Sequence, residues 1–118
     1  MTESAMTASI ATRKTEHSRL ADIDWNRLPF GRIFTDHMLS MDYRDGAWQK
    51  PEIIPFGPLS LYPGNATLHY GQAIFEGMKA IRAKDGRITL FRPALNARRF
   101  NESSIRLCMP TIDEDLFI

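Results

Sequence analysis

Cysteine is almost absent. The sequence has 118 residues and a single cysteine, Cys108, so no internal disulfide can form and a cysteine-based structural zinc site is excluded with it. One free thiol fits a reducing compartment, and a cytoplasmic setting is the expectation. Cys108 stands between Leu107 and Met109 and reads as a small core residue rather than a nucleophile. The three histidines, His17, His37 and His69, lack metal-ligand spacing, so no metal is expected. His37 follows Asp36, but neighbours in a strand face opposite sides, which rules out a dyad. An excess of one charge is also missing. Fifteen basic residues stand against 14 acidic ones, for a net charge of +1, so nothing global calls for nucleic acid or an anionic membrane as partner. No apolar run approaches the ~18 residues of a membrane span, and the N-terminus lacks the apolar stretch of a secretory signal. There is no Walker loop, no dinucleotide fingerprint and no nucleophile elbow.

What is present is the composition of a soluble globular protein, 43% hydrophobic and 25% charged, at a length that fits one domain. Residues 1–21 are rich in Thr, Ser and Ala without sustained periodicity and read as a disordered or loosely attached tail. The ordered part is expected over 22–118. It opens on the apolar anchors Trp25, Leu28 and Phe30, followed by a strand over 32–43. Asp45-Gly46 supplies the positive φ angles of a two-residue hairpin loop, which places Tyr43 opposite Trp48. The return strand runs from Ala47 to about Ile54. Asn65 is positioned to cap a helical turn through Tyr70.

The centre of the chain is the stretch from Leu68 to Ala80, Leu-His-Tyr-Gly-Gln-Ala-Ile-Phe-Glu-Gly-Met-Lys-Ala. A strand is expected from about Phe75 to Ala83. A glycine inside it, Gly77, marks either a simple kink or a place where a ligand or another backbone comes close. Glu76 is a lone carboxylate, open between a hydrogen-bonded strand residue and a catalytic one. Asp85-Gly86 is a second hairpin signal, and a two-residue loop there would pair Ala83 with Ile88 and Ile81 with Leu90. Pro93 marks the first position of a helix running to about Leu107. At 100° per residue, Ala97, Phe100, Leu107 and Cys108 share one face, and Arg99 and Arg106 lie on a flank. A flanking arginine either snorkels to solvent or reaches an anion in a cleft. Thr111, three acidic residues and then Leu116-Phe117-Ile118 read as the start of another helix, which implies a truncated chain or one piece of a longer one. The whole is an α+β, antiparallel-rich arrangement.

Four segments carry a family resemblance: Phe30-Gly31-Arg32-Ile33-Phe34-Thr35-Asp36-His37-Met38, Leu68-His69-Tyr70-Gly71, Phe75-Glu76-Gly77-Met78-Lys79-Ala80, and Leu90-Phe91-Arg92-Pro93-Ala94-Leu95-Asn96-Ala97-Arg98-Arg99. In order and spacing the chain resembles the N-terminal part of the branched-chain amino acid aminotransferases, of the fold-type IV class of pyridoxal 5'-phosphate (PLP) enzymes. The tyrosine-glycine and Phe-Glu-Gly elements recur in D-amino acid aminotransferases and aminodeoxychorismate lyases and specify only the class. The resemblance implies a fold like the small domain of that class, truncated and without its large domain, over residues 22–118. It implies PLP as cofactor, with Arg99 on its phosphate. It implies Phe30, Phe75 and Tyr70 as substrate-pocket residues, with Tyr70 reaching the partner subunit of a homodimer. The substrates would be leucine, isoleucine or valine with 2-oxoglutarate. The Schiff-base lysine and the acid beside the pyridine nitrogen belong to the large domain of the family. None of Lys14, Lys50, Lys79 and Lys84 matches that lysine, so no catalytic residue is expected here and the chain alone would not transaminate. The competing readings are a non-catalytic dimerisation or interaction module, half of a split enzyme, or a fragment of one of the related class IV enzymes.

Overall fold

Backbone pairing, more than side-chain burial, organises this chain. The structure is a computed structural model that describes residues 10–118. It has the elements of a small α+β protein with mostly antiparallel pairing, in two units, Met1–Ser60 and Leu61–Ile118. Among the described residues, only Ala97 and Ser104 are buried.

In the first unit, β1 (Ala11–Thr12), β2 (His37–Ser40) and β5 (Glu52–Pro55) form one sheet in the order β1-β5-β2. β2 and β5 are antiparallel, with Met38 opposite Ile54 and Leu39 opposite Ile53, and Phe34 stacks on Phe56 at 4.8 Å beside them. β3 (Tyr43–Arg44) and β4 (Ala47–Trp48) make a separate hairpin. Asp45 and Gly46 have φ of 54° and 78°, the two positive values of a type I′ loop. Tyr43 therefore meets Trp48 edge-on at 5.1 Å. The expected strands over 32–43 and 47–54 are each shorter or broken. Pro51 has no N–H to give a ladder, and it separates β4 from β5.

The tail expected over 1–21 needs correction where it is described, and residues 1–9 lie outside the described part. β1 runs parallel to β5, with Ala11 opposite Glu52 and Thr12 opposite Ile53. The Arg13 N–H donates to the Ile53 carbonyl at 2.8 Å, and the Thr15 N–H donates to Nε2 of His37 at 2.9 Å. Asp36 then accepts from the Ser18 hydroxyl at 2.6 Å and the Arg19 N–H at 3.0 Å, at the start of a 3-10 turn over Leu20–Asp22. Composition carries no trace of this, because the partners, the β5 edge and the side chains of Asp36 and His37, lie far along the chain.

In the second unit, Asn65 Oδ1 caps α1 (Ala66–Tyr70) by accepting from the Thr67 N–H at 2.9 Å. β6 (Ala80–Arg82) and β7 (Ile88–Leu90) form the second hairpin. Its register differs by one residue from the expected one: Ile81 faces Thr89 and Arg82 faces Ile88. Here Gly86 has φ 84° and Asp85 is not positive. The Gly86 N–H closes a turn onto the Ala83 carbonyl at 3.0 Å, and the Ala83 N–H reaches the Arg87 carbonyl at 2.8 Å. That is a three-residue loop with a left-handed glycine, not a two-residue one. β6 is also shorter than the strand expected from Phe75, since residues 75–79 belong to no strand.

α2 (Pro93–Arg106) begins on Pro93 and turns Ala97 and Ser104 inward. Phe100 meets Phe117 of α3 (Glu114–Phe117) at 5.3 Å. The Asn101 side chain closes a two-way bond to Ile112, donating to its carbonyl at 2.8 Å and accepting from its N–H at 2.9 Å. Cys108 is exposed rather than core. Its φ of 54° makes it the left-handed residue after the helix. The Cys108 N–H bonds the Ile105 carbonyl and the Met109 N–H the Ser104 carbonyl, a Schellman motif that rotates the thiol off the packed face. α3 is capped by Asp113, which accepts from the Leu116 N–H at 2.9 Å.

Candidate functional site

The segment between α1 and β6 lies along α2 with alternate residues on opposite sides. Gln72, Ile74 and Glu76 are half-buried, while Ala73 and Phe75 are exposed, the period of an extended chain. Gln72 Nε2 donates to the Leu107 carbonyl at 2.9 Å at one end of the helix. Glu76 reaches the other end.

There its carboxylate is enclosed by donors. The Gly77 N–H donates to Oε1 at 2.8 Å, and Asn96 Nδ2 donates to the same oxygen at 3.1 Å. Asn96 also donates to the Gly77 carbonyl at 3.0 Å, so it ties both the carboxylate and the kink to α2. Arg99 completes the set side-on, with Nε on Oε2 at 2.6 Å and Nη2 on Oε1 at 2.5 Å. Asn96 and Arg99 are three residues apart and so share one flank of the helix. The two ends of the ion pair differ sharply in exposure, 5% for the Glu76 side chain and 67% for Arg99. The Arg99 guanidinium beside Glu76, helped by Asn96 and Gly77, holds its carboxyl down to about 2, against a desolvation that pushes the other way. Glu76 in turn raises the pKa of Arg99.

Arg99 stands at a groove of about 420 Å³, with Lys79 and Arg92 as further cations and Met78, Phe91 and Leu95 as apolar lining. Arg92 lies over the Phe91 ring, 5.8 Å from its centre. Nη1 of Arg99 takes no part in the Glu76 pair, which leaves a donor on a guanidinium that lines the groove. Pairing with Glu76 is the feature that sequence reasoning left open. Its signal was the Asn96–Arg99 spacing together with the alternation through Glu76.

The other residues singled out from the sequence are placed differently. Tyr70 and Phe75 are in the same unit as Arg99 but are 86% and 92% exposed, and neither lines the groove. Phe30 belongs to the other unit and is fully exposed. It is not part of the apolar hollow of about 350 Å³ that Leu20, Trp25, Leu28 and Phe34 help to line in that unit. Lys79 is the one lysine beside Arg99. Among the described residues no cluster of side chains could hold a metal ion, and no helix is long and apolar enough to cross a membrane.

The site thus defines an α+β segment that presents one anchored arginine to an open cationic groove. No family model matches the chain, but individual relatives do. It is 53% identical over 93 residues to branched-chain-amino-acid aminotransferase 2 of Bacillus subtilis (strain 168), a match covering 78% of this chain and 26% of that protein. It is 50% identical over 96 residues to branched-chain-amino-acid transaminase 1 of the same organism, covering 80% of this chain and 27% of that one. The branched-chain-amino-acid aminotransferase of Mycolicibacterium smegmatis is 50% identical over 90 residues, 75% of this chain and 24% of that protein. The chain spans about a quarter of the length of the curated relatives it matches, and its likeness to these branched-chain-amino-acid aminotransferases holds over that segment.

Proposed function

We propose that this segment is the phosphate-binding and pocket-forming part of a PLP-dependent aminotransferase, with the small-domain fold of the fold-type IV class. The full enzyme moves the amino group of leucine, isoleucine or valine to 2-oxoglutarate. The observation that carries this reading is the identity of half or more of the aligned residues to two aminotransferases of Bacillus subtilis. The geometry supports it independently. A phosphate needs fixed donors on a rigid element, and Arg99 offers a planar guanidinium on a 14-residue helix, anchored on one edge and free on the other. The groove of about 420 Å³ is within the size range of small-ligand sites. The donor set therefore fits the cofactor's phosphate.

When bound, PLP supplies the electron sink for carbanion chemistry at the amino acid's α-carbon. This chain's residues would hold and shape. Arg99 binds the phosphate and fixes the cofactor's position. Lys79 and Arg92 add positive potential along the groove. Phe30, Phe75 and Tyr70 present the aromatic surface that a branched aliphatic side chain requires, with Tyr70 serving the partner subunit of a homodimer. None of the four lysines takes the role of the Schiff-base lysine, so the 118 residues alone are inactive.

The test is an amino-group transfer assay on the full enzyme carrying this segment, with leucine, isoleucine, valine and D-alanine as donors to 2-oxoglutarate. Turnover of the three branched-chain donors is expected. Activity confined to D-alanine would reject the branched-chain assignment. An inactive polypeptide that co-purifies with a longer, lysine-bearing chain would point to a non-catalytic module or a split enzyme.

A further inference from the structure

We infer that Glu76 is the positioning residue for Arg99, holding its guanidinium in the one orientation that offers its free edge to the cofactor phosphate. This rests on the reading of Arg99 as the phosphate residue. The two members of the pair are not equivalent. Glu76 is fixed: its side chain is 5% exposed, and the Gly77 N–H and Asn96 Nδ2 hold Oε1 from two further directions. Arg99 is an exposed side chain on a flexible stem, and Glu76 takes both Nε and Nη2. The anchored group therefore orients the mobile one. Without it, binding a phosphate would have to order several free torsions of Arg99, a cost that preorganisation removes.

Glu76 also carries a charge that repels phosphate, which gives the inference a definite sign to be tested. Three groups donate to the carboxylate, so part of its charge is already satisfied within the pair and its neighbours. Positioning should then outweigh repulsion, and removing the charge should weaken phosphate binding. If Glu76 were merely a competitor for Arg99, removing its charge would strengthen it.

The experiment compares PLP and pyridoxal binding to the full apoenzyme by fluorescence titration. Both ligands share ring and aldehyde, so the ratio of their dissociation constants isolates the phosphate. In Glu76→Gln the preference for PLP should fall about tenfold, the equivalent of ~1.4 kcal/mol. In Arg99→Ala it should collapse, and adding Glu76→Gln to that background should change it no further. An unchanged or increased preference in Glu76→Gln, with a collapse in Arg99→Ala, overturns the inference and leaves the role of Arg99 standing. An equal fall from Glu76→Gln in both backgrounds also overturns it, because Glu76 would then act without Arg99. An unchanged preference in Arg99→Ala rejects the phosphate role itself and the inference with it. Should Glu76→Gln fail to fold, Asn96→Ala removes one donor that fixes Glu76 while keeping both charges. The preference should then fall about threefold, the effect of one ordinary hydrogen bond, and no fall overturns the inference.

Discussion

Glu76 and Asp36 are both held below the usual carboxylate range, each by donors that only the folded chain supplies. For Glu76 the largest cause is Arg99, which takes the folded value to about 2 from an ordinary 4.5. A depressed carboxylate contributes stability that is fully present above the unfolded pKa and is lost as pH falls through the folded one. The window therefore runs from about 4.5 down to about 2. In the full enzyme, a carbon-detected NMR titration should show the Glu76 carboxyl still ionised at pH 3.5. A midpoint above 4 would mean that the ion pair is not formed in solution. Asp36 is lowered by the Ser18 hydroxyl and the Arg19 N–H and side chain. Asp36→Ala should release the backbone around Arg19, read as faster amide exchange over 15–22, while β2 and β5 keep their protection. Protection unchanged at Arg19 would show that β1 pairing alone holds this segment. Phe75 tests the pocket: if its exposed ring meets the substrate, Phe75→Ala should raise KM for leucine more than for glutamate, and equal effects would reject that role.

The two hairpins show how far element-level reading goes. Asp-Gly located both turns, because few other pairs accept the left-handed backbone a tight reversal demands. It did not set the register of the second. Asp45 adopts positive φ and Asp85 does not, a choice made by the flanking strands and invisible in the dipeptide. β1 was illegible for a similar reason, since its Ala-Thr pair is defined by the edge of β5 that it meets. Pro93, Asn65 and the turn residues announce themselves by local chemistry, so the start of α2 and the cap of α1 were legible. The end of α2 was half legible. Pro110 forbids continuation, yet the helix stops at Arg106 with a non-glycine residue, Cys108, at φ 54°. A left-handed L-residue costs roughly 1–2 kcal/mol, while glycine loses about 0.4–1 kcal/mol through its freer unfolded chain. The first exceeds the second, and the exposed thiol packs little. Cys108→Gly should therefore stabilise by about 0.5–1 kcal/mol, measured by urea unfolding of the full enzyme. A loss of stability would show that the Cys108 side chain makes contacts that outweigh its backbone cost.

At the scale of the whole chain, apolar surface decides what these 118 residues do by themselves. Arg99 emerged from resemblance because a flank position on a helix is equally good for snorkelling. Its partner Glu76 was left open because the two are 23 residues apart, and only the fold joins them. Phe30, Tyr70 and Phe75 could be named as pocket residues, but their exposure, which Tyr62 shares, could not be read from sequence. Full burial of a large apolar side chain is worth roughly 1.5–3 kcal/mol, so these four leave about 6–12 kcal/mol unrealised. A folded domain has only about 5–15 kcal/mol of net stability. With Ala97 and Ser104 as the buried residues among those described, the core has little to set against that loss. The isolated chain should therefore bind a hydrophobic dye strongly, melt without a cooperative transition, and show no transamination of leucine with added PLP. Calorimetry, dye fluorescence and the amino-group transfer assay check the three together. A sharp heat-absorption peak with weak dye binding would mean that these aromatics are covered in solution by self-association. Turnover would mean that one of Lys14, Lys50, Lys79 and Lys84 serves the cofactor, and Lys79, beside Arg99 in the groove, would be the first to replace.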